Sequence, residues 1–206
     1  MLCVAGAWCR AGDDRLASTD DLDTARSVVA RFEAQDDAQR AARSEILRFV
    51  DEHSDALHRS CLQGHLTGSA WVVDADGHRG LVLLHAKVGR WLQPGGHADG
   101  DGCLAAVALR EASEETGIEG LEVWSEPVDV DVHLFVNRRT REPDHLHLDV
   151  RYVVQAPHEA VVRGNHESEG LRWVGTEDLD DPELALDTST RRLARYGFEV
   201  ARRQVR

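Results

Sequence analysis

The sequence predicts an α/β fold: a mixed β-sheet flanked by helices, with a helical extension in front of it. Three observations lead there. Apolar residues recur at helical spacing through residues 18–60. From Gly68 the pattern changes to short β-rich runs separated by turn residues. Helical stretches at residues 103–116 and 189–200 are then interleaved with those strands, which is the order of an α/β domain. A chain of 206 residues is long enough for one such domain plus an added helical segment.

Each element has its own signal. Thr19, followed by Asp20 and Asp21, supplies a helix N-cap, after which Ala25, Val29 and Phe32 form one apolar stripe. Asp36 and Asp37 open a second helix whose apolar face is Ala42, Ile46, Phe49 and Val50, and Ser54 is expected to cap a short third turn. This segment carries no chemistry of its own and is expected to pack on the α/β domain or on a partner. The boundaries are therefore placed as an extension over residues 1–62 and a domain over residues 63–206. Residues 70–73 and 81–84 are strands joined by the hairpin turn Asp74-Ala75-Asp76-Gly77. Trp91 and Leu92 lead into Pro94-Gly95-Gly96, where the backbone can turn tightly. Residues 103–116 form a helix ended by Gly117. Strands at residues 128–136, 146–154 and 171–174 and a helix at 189–200 complete the domain. Trp71, Trp91, Trp124 and Trp173 are expected to belong mostly to the core.

Charge and composition exclude several function classes. The net charge is −13, which opposes stable binding to a nucleic-acid backbone. A phosphate-bearing substrate would need metal ions to offset that charge. Cys3, Cys9, Cys61 and Cys103 form neither a C-x-x-C pair nor a secreted disulfide framework, so reduced thiols are expected. No apolar run reaches membrane-spanning length, and residues 1–17 are a poor match to a signal peptide. A cytoplasmic protein without a membrane partner is the expectation, and a homodimer is left open.

The chemistry concentrates in Arg110-Glu111-Ala112-Ser113-Glu114-Glu115-Thr116-Gly117-Ile118. On a helix, Glu114 and Glu115 fall on either side of Glu111, within one arc of roughly 100°. Three carboxylates crowded in this way repel one another unless a hard cation such as magnesium or manganese takes their oxygens as ligands. Acidic runs are usually solvated helix ends. The apolar earlier turns (Leu104, Ala105, Val107, Ala108, Leu109) and the glycine-rich break before them argue for a buried helix instead.

These residues resemble the Nudix box, which runs Gly, five residues, Glu, seven residues, Arg-Glu-apolar-x-Glu-Glu-x-Gly-apolar. Gly96, Arg110, Glu111, Ala112, Glu114, Glu115, Gly117 and Ile118 all fall in register, whereas the first Glu position holds Gly102, with Asp101 beside it and Asp99 shortly before. A looser likeness extends over residues 66–180. The resemblance implies a Nudix α/β/α sandwich that hydrolyses a diphosphate linkage in a nucleoside-diphosphate-linked, nucleotide-like small molecule, using Mg2+ or Mn2+. It further implies that Glu111, Glu114 and Glu115 bind the metal and that the carbonyl of Gly95 or Gly96 completes its shell. Glu111 or Glu115 would position or deprotonate the attacking water, and Arg110 would orient a helix glutamate. The first Glu normally helps hold the motif together, so Gly102 puts the rigidity of the loop in question more than metal binding. Glu167 and Glu169 lie where the family often places a loop carboxylate, and either is a candidate base.

The histidines suggest a second metal or phosphate site. His65 precedes the first strand, His97 follows Gly95-Gly96, and His145, His147 and Asp149 alternate along one strand face. Imidazole suits transition metals better than magnesium. The placement of His65, His97, His147 and Asp149 is similar to the metal ligands of isopentenyl-diphosphate isomerases, with His147 standing where those enzymes have a carboxylate. Gly95, however, occupies the place of their catalytic cysteine, which counts against isomerase activity. His97 is alternatively a hydrogen-bond donor to a substrate phosphate, and Asp131 with His133 forms a weaker candidate pair. A non-catalytic Nudix-like nucleotide-binding module is the remaining rival, made credible by Gly102 and opposed by the retained glutamates.

Overall fold

A computed structural model describes residues 6–86, 89–136, 143–166 and 168–204. The helical extension forms as its caps dictate. Asp21 accepts a hydrogen bond from the Asp23 amide at the start of α1 (Leu22–Arg31), and Asp36 does the same for Gln39 in α2 (Asp37–Glu52). Ala25 and Val29 of α1 and Ala42, Ile46, Phe49 and Val50 of α2 are buried. Ser54 starts turns and no helix. A short strand β1 (Trp8–Arg10) precedes them and pairs with a later strand, so the extension contributes to the sheet as well as covering it.

The domain core is a mixed sheet built on β2 (Gly64–Val73) and β8 (His145–Gln155). These two run parallel in register from Gly64 opposite Leu146 to Val73 opposite Gln155. Around them lie β3 (Gly80–His85), β4 (Arg90–Leu92), β5 (Gly95–His97), β6 (Glu122–Trp124), β7 (Asp129–Phe135) and β9 (Ser168–Val174), all paired antiparallel. The β2–β3 hairpin turns where the sequence predicts, with Gly77 at φ 69° and its amide bonded to the Asp74 carbonyl at 2.9 Å.

Strand alternation decides which layer each side chain joins. Leu66, Ala70 and Val72 of β2 and Leu148, Val150, Tyr152 and Val154 of β8 face a core shared with α1, α2 and α3 (Leu104–Thr116). Trp71, Val73 and Val153 face the opposite core under α4 (Thr188–Gln204), where Phe198 meets Trp71 edge-on. The same alternation places His65, Thr67 and Ser69 of β2, and His145, His147, Asp149 and Arg151 of β8, on the α4 side. Helix α3 ends at Gly117, which sits in the left-handed region at φ 66° and donates to the Ser113 carbonyl. No helix among the described residues is long and apolar enough to cross a membrane.

Candidate functional site

Helix α3 lays its apolar turns on β2, where a side chain at Gly68 would come within 2.8 Å of the Leu104 carbonyl. Its last turns carry the acidic residues to strand β5. Glu115 is buried, and its Oε2 accepts from the Gly95 amide at 2.8 Å. The Glu111 carboxyl lies directly over Gly96, where a Cβ would be 2.4 Å from Glu111 Cδ. Only glycine permits that approach. Arg110 donates from Nη2 to Glu111 Oε1 at 2.7 Å and to the His97 carbonyl at 3.1 Å, tying helix and strand together. Glu114 is the outermost of the three, its side chain 61% exposed against 17% for Glu111. Burial pushes the Glu111 carboxyl above the ordinary carboxylate range; Arg110 offsets this only in part and Glu114 adds to it.

The loop leading into β9 also docks here. Asn165 donates to the Glu114 carbonyl at 3.1 Å, and the Arg163 and Gly164 amides bond the Thr116 carbonyl. Glu169 stands on β9 as the extra residue where the pairing of Leu84 with Gly170 shifts to that of His85 with Ser168, and it is exposed. Glu167 lies outside the described residues.

Gly102 has a structural reason. Its amide donates to the Thr19 carbonyl at 2.6 Å, and a Cβ there would stand 2.5 Å from the Asp21 carbonyl oxygen. The N-terminal extension thus occupies the space into which a glutamate would project. It also fixes the loop: Asp101 accepts from the Thr19 and Cys103 amides, Arg59 makes a two-pronged pair with Asp99 at 2.7 and 2.8 Å, and the Gly100 amide bonds the Leu57 carbonyl. The extension therefore anchors the loop through both side-chain and backbone hydrogen bonds. Placing a glutamate there by Gly102→Glu is expected to destabilise the protein by about 1–3 kcal/mol. Faster hydrogen exchange at residues 19–21 and a lowered Tm would register this, while unchanged values would refute the clamp.

On the α4 side of the sheet, ring nitrogens of His65, His97, His145 and His147 gather so that one ligand atom from each lies within 4.8 Å of all the others. Strand register does this: His65 is opposite His147 across β2 and β8, and His97 is opposite Thr67 across β5 and β2. Burial, reinforced by the neighbouring rings, lowers the pKa of His65, of His97 to about 4 and of His147 to about 2, so these three are neutral at pH 7. Asp149, grouped with them on sequence grounds, is engaged elsewhere. Its carboxylate accepts from Thr67, Ser69 and the Arg151 Nε at 2.6 Å. Arg151 is buried and also reaches Asp129 and Asp131, both of which Arg192 pairs as well. Asp131 belongs to this ion network and holds His133 through Nδ1 at 3.1 Å. His145, which shares its strand face with His147, is the member that sequence reasoning leaves out.

Gly95 leaves no room for a cysteine side chain, since a Cβ there would lie 2.3 Å from Ser69 Oγ. That removes the nucleophile position an isomerase would need. Two clefts elsewhere, one lined by Trp8, Trp124 and His158 and one by Phe32, Trp124 and Tyr196, contain none of the box residues or clustered histidines.

The NUDIX domain family model matches residues 65–196, more than half of the chain. No curated protein matches the sequence. Among solved structures, the chain is similar to an Ap4A hydrolase of C. elegans in a binary complex. The TM-score is 0.50 at 18% identity, over 64% of this chain and 93% of that one. A Nudix hydrolase of M. smegmatis gives a TM-score of 0.49 at 20% identity, over 68% and 88%. A MutT protein of Methanosarcina mazei gives 0.43 at 23% identity, over 68% and 94%. At these identities the likeness is one of fold.

Proposed function

Because the chain belongs to the Nudix hydrolase family, whose members are generally diphosphohydrolases, we propose that it hydrolyses a diphosphate linkage in a nucleoside-diphosphate-linked substrate with Mg2+ or Mn2+. The observation that carries this reading is the convergence of Glu111 and Glu115 on Gly95 and Gly96 of β5, one carboxyl packed over a glycine and the other held by a backbone amide.

The donor set fits a hard dication. Three carboxylates stand against one guanidinium, and Glu111 is largely withdrawn from water, so an ion would relieve both repulsion and desolvation. Glu111, Glu114 and Glu115 would hold it, with the Gly95 or Gly96 carbonyl. Bound there, it would neutralise the diphosphate charge and acidify a water. The chain's own residues supply placement. Arg110 fixes the Glu111 carboxylate and the His97 carbonyl at once, so its role is to orient rather than to touch substrate. Glu111 or Glu115 accepts the proton of the attacking water, and Glu169, at its bulge beside the docked loop, is the alternative base. With a net charge of −13 the chain offers a polyphosphate little attraction of its own, which bound cations would supply.

A screen for phosphate release tests the reading, run with nucleotide sugars, dinucleoside polyphosphates, oxidised nucleotides and coenzymes, each with Mg2+ or Mn2+. Turnover of at least one class that stops on chelation is expected. Absence of turnover across the panel with either metal, by protein shown to be folded, would contradict it.

A further inference from the structure

We propose that His65, His97, His145 and His147 form a binding site for one transition-metal ion, zinc above all, separate from the magnesium or manganese of the box. The four ligand atoms come from three strands and already lie within 4.8 Å of one another. His145 Nε2 and His147 Nε2 are 3.2 Å apart. With zinc–nitrogen bonds of about 2.0–2.1 Å, two ligands on a tetrahedral ion stand about 3.3–3.4 Å apart, so this pair already has the required spacing.

The orientation of the rings agrees. His145 directs Nδ1 at the Pro143 carbonyl, 2.8 Å away. A proton on Nδ1 satisfies that contact and leaves the Nε2 lone pair free, the arrangement by which a backbone carbonyl commonly sets a metal-binding imidazole. Phe135 stacks flat on His147 at 4.6 Å, limiting its rotation.

A hydrogen bond between His145 and His147 would explain those two rings without a metal. It does not explain His65, which is 3% exposed and has no hydrogen-bond partner for either ring nitrogen among the described residues. The Cys61 backbone lies near enough to influence this ring but outside hydrogen-bonding geometry. A buried polar group left in this state costs on the order of 1–3 kcal/mol. His65 packs 4.7 Å from His97 and 4.6 Å from His145, ring centre to ring centre, so its unsatisfied nitrogens share the space between the other rings. An ion there gives it a partner.

Neutral nitrogen donors favour zinc and its neighbours over magnesium, which prefers oxygen. Four protein ligands close a tetrahedral shell and leave no position for substrate, the mark of a structural site. Its effect falls on β5. His97 is next to Gly96, under the Glu111 carboxyl, and its carbonyl receives Arg110. The ion would pin β5 to β2 and β8 from the face opposite α3.

The test uses the full chain, stripped with a strong chelator and titrated with Zn2+, and in parallel with Co2+, whose tetrahedral complexes absorb visible light strongly. One equivalent bound per chain, with a rise in Tm, is the expected result. His65→Gln and His147→Gln should each weaken binding at least about 100-fold and abolish the rise in Tm while the far-ultraviolet spectrum is retained. Should His65→Gln fail to fold, His147→Gln, on a half-buried ring, carries the comparison. The double variant Glu111→Gln/Glu115→Gln should bind zinc as the wild type does, which keeps this outcome independent of the hydrolase reading. The proposal is overturned if the stripped wild type takes up no zinc or if the histidine variants bind it equally well. It is also overturned if inorganic pyrophosphate, and not zinc, raises the Tm in a His65-dependent manner.

Discussion

Replacing Glu115 by glutamine is expected to lower turnover at least about 10³-fold, the scale on which losing a group that stabilises transition-state charge acts. The substitution keeps the shape of the side chain and retains an acceptor for the Gly95 amide 2.8 Å away, so β5 should keep its place. What is lost is the negative charge that completes the ligand set. The discriminating comparison is kcat against Tm: a large fall in the first with less than about 1 kcal/mol change in stability identifies a site residue, because substitutions that leave packing and hydrogen bonds in place stay near that scale. Equal turnover by wild type and variant would remove Glu115 from the reaction. Arg110→Lys should show a milder form of the same pattern, since lysine keeps the charge but cannot reach Glu111 and the His97 carbonyl from one planar group.

The second large effect is on stability. Arg151→Met should cost about 3–5 kcal/mol, because it leaves buried carboxylates facing one another without their shared cation. Asp129, Asp131 and Asp149 all contact that guanidinium, and Arg192 reaches only the first two. For a chain of this length each kcal/mol lowers Tm by about 2–4 °C, so a fall near 10 °C is the expected reading.

The pH dependence of that difference has a definite sign. Burial alone would raise the Asp131 pKa, but the His133 hydrogen bond, Arg151 and Arg192 outweigh it and hold the carboxyl well below its usual range. A depressed carboxylate adds stability above its unfolded pKa, near 3.9, and that contribution disappears as pH falls through the folded value. The gap between wild type and Arg151→Met should therefore narrow when Tm is followed from pH 7 to below about pH 4. A gap that stays constant over that range would show that the arginine acts through packing alone.

Much of the fold was legible in the sequence because local chemistry marks it. Asp21 and Asp36 cap α1 and α2, Gly77 makes the hairpin and Gly117 stops α3, each within a few residues of its signal. Strand β1 carries no such mark: three residues with no period pair with an edge only after the chain has returned. The first half of β2 was hidden for a different reason. His65, Thr67 and Ser69 face the imidazoles and the Asp149 network, and with Gly64 and Gly68 between them the stretch has no run of large apolar residues to mark it as a strand.

The site divides the same way. The Arg110-to-Gly117 helix is readable because its residues are sequence neighbours on one helix. Membership of the histidine cluster depends on the register of the parallel pair β2 and β8, which sets His65 beside His147 and Thr67 beside Asp149. No local signal encodes that register: the alternation along β8 puts His145, His147 and Asp149 on one face, and the likeness to the isomerases selects Asp149 over His145. Gly102 is likewise a long-range matter, decided by where Thr19 and Asp21 come to rest.

Manganese binding followed by electron paramagnetic resonance tests the box most directly, with the histidine cluster first saturated with zinc. Wild-type protein should take up manganese and quench the signal of the free ion, and Glu111→Gln/Glu115→Gln should leave most of that signal untouched. Uptake that is the same with and without these two carboxylates, or missing in both proteins, would contradict a catalytic metal at this end of α3.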